Sequence, residues 1–444
     1  MLALWSLLLP LAGLAGLVHA KSSSGDSVLV VLEPGLPKED FSVFFSNLKE
    51  QGYDLTFRAP KEVTPKVIED DIPAFAHVIL FAPESKAYAA DITPQSLVTL
   101  LSEKTNLLVA VGPKTTPLTS LASEFSLILP TPNTPLISHF PKRDTPATVI
   151  PIEVASNSLL TAGTPPVWFS GVSYALGNNP LLVPILAAPA ESFASDSTED
   201  SGADALVDAS EKGGEGLWAG SATSVVTGFQ TKDGSRVTWV GSVTLFSDEF
   251  AHKALPNGKA SGNEQFAKDV AAWTFQEKSV LRIESVSHHH VNGTSTPDFY
   301  TTNDEIVYSV KVSKYDPKTS SWKPCTCRSD IQLEFTMLDP HVRTTLVADP
   351  SDPGSYTASF RAPDRHGVFK FVIDYKRKGW SSLQSSTTVP VVPPRHDGYP
   401  RFLSAAWPYY AGAISTSVGF VVFSALFLAG DVRDVKKGKG LKHE

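Results

Sequence analysis

The chain has 444 residues, 42 % of them hydrophobic and 10 % aromatic, and a formal net charge of −8. That is enough apolar material for several packed cores, so the length predicts two or three domains. The acidic balance excludes a broad phosphate-neutralising surface, and with it a nucleic-acid partner. Two cysteines in so long a chain exclude a disulfide-built scaffold.

Residues 1–20 read as a secretory signal. Leu2 to Leu17 is rich in Leu, Ala and Gly, and Val18-His-Ala20 fits a small-residue cleavage site. A positively charged leading segment is missing, which leaves an uncleaved signal anchor as the alternative. The next segment, 21–148, alternates strands and helices. Ser27 to Leu32 is a continuous apolar run entering Glu33-Pro-Gly35, the profile of a buried parallel strand. Phe41, Phe44, Phe45 and Leu48 then recur at helical spacing up to Gln51-Gly52. Leu55–Phe57, Ala76–Ala82 and Asn106–Val111 give further strands, and Ser96–Ser102 a helix. This spacing predicts a doubly wound, Rossmann-like α/β sheet. The first turn lacks the G-x-G-x-x-G that brings a pyrophosphate to a helix N-terminus, so no dinucleotide cofactor is expected.

A middle α/β portion, 149–279, contains the strand Val237-Thr-Trp-Val-Gly-Ser242 and the helix Phe266–Phe275. Within it, Ala190 to Gly216 carries eight acidic residues against one lysine and too little apolar area to fold alone, so a surface loop is expected at 190–216. From 280 to 394 the pattern becomes alternation, at 307–312, 331–335, 356–360, 368–373 and 387–392, separated by Pro, Asp and Gly turns. Short strands of this kind predict a β-sandwich. Pro393-Pro394 opens a stiff stalk, 395–408. Residues 409–430 are uncharged and mostly apolar. As a helix they reach roughly 33 Å, enough to span a bilayer core. Trp407, Tyr409 and Tyr410 stand at the near edge, and the tail 431–444 carries Arg433, Lys436, Lys437, Lys439 and Lys442, the mark of a cytosolic end.

Candidate chemistry is sparse. Glu69-Asp-Asp71 lacks the Asp-x-Asp spacing of a metal-diphosphate site and reads as residues that cap or precede a helix. Of His288, His289 and His290 only the first and third share a strand face, half a zinc site, and an interdomain strand with exposed histidines is the plainer reading. Asp248 or Glu249, following a strong strand, could reach a sheet's carboxyl edge, where α/β folds bind ligands, or could simply cap the next element. Cys325 and Cys327 could form a small strained ring, a local clip, or stand as two thiols. Asn292-Gly-Thr294 is a candidate glycosylation sequon. In the span, Ala411, Ser415 and Gly419 recur every four residues, a small stripe suited to helix–helix contact.

Several blocks, in order along the chain, carry a resemblance. They are Phe44-Phe-Ser-Asn-Leu-Lys49, Gly52-Tyr-Asp-Leu-Thr-Phe57, Val243-Thr-Leu-Phe-Ser-Asp-Glu-Phe250, Val286-Ser-His-His289, Asp330-Ile-Gln-Leu-Glu-Phe335, Asp339-Pro-His-Val-Arg-Thr344, Gly367-Val-Phe-Lys-Phe371 and Tyr399-Pro-Arg-Phe-Leu-Ser-Ala-Ala-Trp-Pro-Tyr-Tyr410. On these the chain resembles the oligosaccharyltransferase 48 kDa subunit family. The resemblance implies a non-catalytic scaffolding subunit in the endoplasmic-reticulum membrane, single-pass type I, with a lumenal body. Its complex transfers a glycan from dolichyl diphosphate to Asn of N-x-S/T acceptors. Implied partners are the other subunits, including the catalytic multi-span subunit, whose Trp-Trp-Asp motif is missing here. Two departures stand out. The tail has Lys442 preceded by Gly440-Leu441 where some members end in a dilysine signal, and the acidic stretch at 190–216 is longer than the family pattern suggests. The alternatives are a single-span glycosyltransferase using Asp248 or Glu249, and a cell-surface adhesion or receptor-like protein using the β-sandwich.

Overall fold

Alternation within each strand organises the N-terminal half. In β1 (Ser27–Leu32), Val28 and Val30 enter one apolar core while Leu29 and Val31 enter another. A strand whose side chains are apolar on both faces must be covered on both. The structure, a computed structural model, describes residues 21–437 apart from 71, 143–144, 195–217, 327 and 399–402. On one face lie α1 (Ser42–Glu50) and α5 (Asn263–Thr274); on the other lie α2 (Pro94–Ser102) and α3 (Pro117–Glu124). The intervening α4 (Asp248–His252) is a single short turn of helix.

The sheet has nine strands. Besides β1 they are β2 (Asp54–Arg58), β3 (His77–Phe81), β4 (Asn106–Ala110), β5 (Leu127–Ile128), β6 (Tyr174–Leu176), β7 (Leu182–Ala187), β8 (Thr223–Gln230) and β9 (Arg236–Val240). They run in the order β2-β1-β3-β4-β9-β8-β6-β5, with β7 also on β8. The first five are mutually parallel. From β9 outward the pairing is antiparallel. The sequence segments 21–148 and 149–279 thus both feed this one sheet. The β8–β9 hairpin returns to it because Val237, Trp239 and Val240 are fully buried there, apolar on both faces.

The C-terminal half is a separate, sheet-rich domain. One sheet joins β10 (Leu281–His290), β12 (Glu305–Asp316), β17 (Ser355–Arg361) and β16 (Val347–Ala348), with β13 (Ser321–Pro324) on β12. The other joins β11 (Tyr300–Thr301), β19 (Leu383–Val392), β18 (Gly367–Tyr375), β14 (Gln332–Thr336) and β15 (Pro340–Thr345). Ile306, Tyr308 and Val310 from the first share one apolar core with Phe335, Phe369 and Phe371 from the second. Each strand predicted by alternation is present; four are extended by up to four residues at an end, and the one expected at 331–335 lies at Gln332–Thr336.

The chain then passes through single 3-10 turns at His396–Gly398 and Ser404–Ala406 into α6 (Trp407–Lys437), which takes in the last two residues of the segment expected as a stalk. Its 31 residues rise roughly 46 Å. The stretch Ser404–Ala429 is long and apolar enough to cross a membrane. The helix begins two residues before the expected span and runs seven residues past it.

A buried joint ties the two halves. Arg236, fully buried at the head of β9, donates to the carbonyls of Trp273 (2.7 Å), Lys278 (2.8 Å) and Ser279 (2.9 Å) and reaches Ser381 Oγ at 3.4 Å. These carbonyls belong to the end of α5 and the linker beyond it, where helical carbonyls have no partner of their own. Burial pushes the Arg236 guanidinium down to about 9. Trp273 Nε1 donates to Gly379 O at 3.0 Å from the same helix end.

Candidate functional site

Parallel sheets bind ligands at their carboxyl edge, where the strand order reverses. Here β1 has its crossover neighbours on opposite sides, β2 and β3. At that edge a cleft of about 880 Å³ is lined by Glu33, Lys61, Glu84, Lys86, Gly112 and Ser242, among others. One wall is a close backbone approach. A Cβ on Gly241 would lie 1.9 Å from Val172 O, and one on Gly171 would lie 2.4 Å from Gly241 O. Only glycine permits the Val172 N–Gly241 O bond of 3.0 Å at that spacing.

The carboxylates of the cleft are structural clasps. Glu33 accepts from Glu84 N (3.2 Å) and Ser85 Oγ (3.1 Å), joining the loops after β1 and β3. Glu84 pairs with Lys114 at 2.5 Å. Tyr88 donates to Ala82 O at 2.7 Å, and burial, with Glu33 nearby, pushes its phenol well above the ordinary range. The cleft is also lined by hydroxyls (Ser85, Ser170, Ser242, Thr244), of which Ser242 and Thr244 bond each other, and by the exposed Lys61 and Lys86. These can hold a polar group by hydrogen bonds. Among the described residues no three His, Cys, Asp or Glu side chains gather as a metal-holding set.

Asp248 does reach the sheet's carboxyl edge, at the start of the helix that follows β1, but as a cap and not as a free ligand group. Its carboxylate accepts from Ser42 N (3.0 Å), Ser42 Oγ (2.6 Å) and Val43 N (3.0 Å). It therefore caps α1, a helix some two hundred residues earlier, rather than only the helix it opens. The anion-attracting N-terminus of the helix following β1 is filled by the chain's own carboxylate. Glu249 is exposed and faces Lys253 at 4.0 Å. Glu69 and Asp70 neither cap nor precede a helix. They turn a miniature hairpin between Ile68–Glu69 and Ile72–Pro73, with Asp70 at φ 49°; Asp71 lies outside the described residues.

The histidine run also departs from expectation at one position. His288 is not exposed: it is 6 % accessible, its Nδ1 lies 2.9 Å from Tyr300 Oη, and its ring stacks on Phe371 at 4.8 Å. Burial, then the neighbouring His289, lowers its pKa. His290 shares that face, its ring 4.8 Å from Tyr300. Alternation along β10 puts His288 and His290 on one face, where His288 is buried and His290 stays half-buried.

Asn292 stands exposed in the turn after β10, which the Gly293 N–His290 O bond of 2.8 Å closes. Ala411, Ser415 and Gly419 lie on α6. Ser415 Oγ donates to Gly412 O at 2.9 Å, satisfying its hydroxyl within the helix, and nothing lies within 4 Å of a Cβ placed on Gly419. Cys325 is disulfide-bonded and 2 % accessible; the sequence holds one other cysteine, Cys327, outside the described residues. The acidic stretch is described only to Ala194, where Phe193–Ala194 pairs with Trp218–Ala219 and Leu136–Ile137.

Sequence reasoning missed a buried polar cluster beneath the sheet's amino edge. Asn106 Nδ2 donates to Ser24 Oγ (3.0 Å) and to His77 Nδ1 (3.2 Å), while its Oδ1 accepts from Arg236 N (2.9 Å) and Gln276 Nε2 (2.8 Å). His77 Nε2 donates to Gly25 O at 3.1 Å, and burial pushes its pKa down to about 3. Tyr53 donates to Glu277 at 2.7 Å, and burial raises that carboxyl. The available signal was a polar residue heading each apolar strand: His77, Asn106 and Arg236.

Comparison with known proteins places this architecture. Residues 19–277 match the profile of the OST48 N-terminal domain, and residues 288–431 match that of the OST48 middle domain. The chain belongs to the OST48 family. Its relatives in that family include proteins named dolichyl-diphosphooligosaccharide–protein glycosyltransferase 48 kDa subunit. The Danio rerio protein is 31 % identical over 432 residues, covering 93 % of each chain. The Caenorhabditis elegans protein is 30 % identical over 441 residues, covering 95 % of each. The Arabidopsis thaliana protein is 30 % identical over 419 residues, covering 90 % of this chain and 92 % of its own. Near-complete coverage in both directions favours this family over the adhesion or receptor-like alternative. The break between the two OST48 profiles, 278–287, falls at the Arg236 joint and the start of β10.

Proposed function

We propose that this chain is a non-catalytic, scaffolding subunit of an oligosaccharyltransferase complex. In that role it supports transfer of a preassembled glycan from dolichyl diphosphate to Asn of N-x-S/T acceptors in the endoplasmic-reticulum lumen. The observation that carries the reading is end-to-end similarity, over 93 % of both chains, to a protein named as the 48 kDa subunit of that transferase. The use of Glu33, Glu84 and Asp248 as structural clasps supports a scaffolding rather than a catalytic part.

The reading extends to topology and fold. A cleaved signal at 1–20 and one membrane helix give a single-pass type I protein, its body lumenal and its basic tail cytosolic. The parallel order β2-β1-β3-β4-β9 supports a Rossmann-like lumenal unit, with 21–148 and 149–279 as two segments of it. The shared core of the two five-stranded sheets supports a membrane-proximal β-sandwich at 280–394. Ala411, Ser415 and Gly419 would face the multi-span catalytic subunit or another helix of the complex. Asn292 would carry a glycan, in which case Asn292→Gln removes one endoglycosidase-sensitive gel shift. The reading as a whole is tested by purifying the chain in mild detergent: it should carry a multi-span transferase with it.

A further inference from the structure

A second recess, of about 550 Å³, lies beside the joint, where the β8–β9 turn (231–235) faces the β18–β19 turn (376–382). In a chain of net charge −8, its walls bring together Lys232, Lys376, Arg377 and Lys378, and no carboxylate lines it among the described residues. Two of these cations are already committed: Lys376 to Asp374 at 2.7 Å and Arg377 to Asp330 at 2.7 Å. Lys232 and Lys378 are exposed and enter no ion pair among the described residues.

At the floor lies Gln230, the last residue of β8. It is 5 % accessible, and neither Oε1 nor Nε2 has a hydrogen-bond partner. A buried carboxamide left unbonded carries an uncompensated desolvation cost, which an apolar residue of similar size would avoid. Because the carboxamide makes no bond where it lies, no hydrogen bond opposes its turning out of the floor toward an occupant.

We propose that this recess binds an acidic peptide segment, with its carboxylates on Lys232 and Lys378 and one of its peptide groups on the Gln230 carboxamide. A carboxamide offers one donor and one acceptor side by side, which a peptide group matches. Phosphate is the poorer fit. The single guanidinium has its Nε on Asp330 and its Nη1 on Lys376 O (2.9 Å), so no free fork is left for bidentate recognition. Leu181, Val183 and Trp380 supply an apolar wall for the methylene stems of glutamates. The site is independent of the cleft at the sheet's carboxyl edge and of the transferase role.

The test titrates a fluorescent hexaglutamate peptide into the detergent-solubilised full chain. Binding should weaken with added salt. It should fall about tenfold in Lys232→Ala/Lys378→Ala, as expected for paired charges across an interface. Gln230→Leu should also weaken it, several-fold, while leaving thermal stability equal or higher. Lys49→Ala, an exposed lysine on α1, should leave it unchanged. No binding to the wild-type chain, unchanged affinity in either recess variant, or displacement of the peptide by equimolar inorganic pyrophosphate would overturn the proposal.

Discussion

Asp248 holds the first turn of a helix that begins at Ser42. Three hydrogen bonds, two from backbone N–H groups and one from the Ser42 hydroxyl, converge on its carboxylate. The contact closes α1 against α4 on one face of the sheet and fills a helix N-terminus, a position that attracts anions. Asp248→Ala should therefore act on stability and not on transfer chemistry. Loss of an N-terminal cap costs about 1 kcal/mol, up to about 2. Thermal unfolding of the variant should begin a few degrees lower, while complexes containing it keep their glycosylation rate per assembled complex. A loss of turnover in assembled complexes would instead return Asp248 to the chemistry.

His77 sets an acid limit. Its folded pKa is depressed to about 3 by burial, from an ordinary value of 6.5. A histidine held neutral in the fold contributes stability that is complete above the unfolded value and lost as pH falls from 6.5 toward 3. The melting temperature of the wild-type chain should decline steeply across that window. His77→Phe should melt lower at pH 7, having lost the Gly25 and Asn106 bonds, and show a flatter decline.

Arg236→Met keeps most of the side chain's volume and removes its five donors. The carbonyls of Trp273, Lys278 and Ser279 would then be buried without this partner. Each buried carbonyl left without a donor costs on the order of 1–3 kcal/mol. The expected result is a lower denaturant midpoint with new protease cutting between 277 and 281, where the two halves meet.

The sheet and the membrane helix were legible because hydrophobic period is a local property. Val28 to Val31 announces a doubly covered strand without reference to anything else, and the uncharged run before Asp431 announces a span. What the sequence did not disclose is long-range polar pairing. Nothing near Asp248 points to Ser42, and nothing near Arg236 points to Ser279 or Ser381. His288 was misjudged for a related reason: alternation told which histidines share a face but not that Phe371, from the other sheet, covers that face. The continuity of the sheet across residue 148 was hidden because β9 finds β4 across more than a hundred residues.

The stripe on α6 yields a prediction about assembly. Small residues let helix backbones approach closely in lipid, where packing rather than water exclusion drives association. Ser415→Leu with Gly419→Leu should lower the yield of intact complex while leaving the lumenal body folded, as judged by its protease resistance. An undiminished yield would mean that this face meets lipid.

The most direct measurement is affinity capture of the tagged full-length chain from endoplasmic-reticulum membranes in mild detergent, followed by identification of what comes with it. The account predicts a multi-span glycosyltransferase in stoichiometric amount, with transfer activity onto N-x-S/T peptides in the captured material and none in the chain stripped of its partners. Recovery of the chain alone from the cell surface, or transfer activity that stays with the isolated chain, would contradict it.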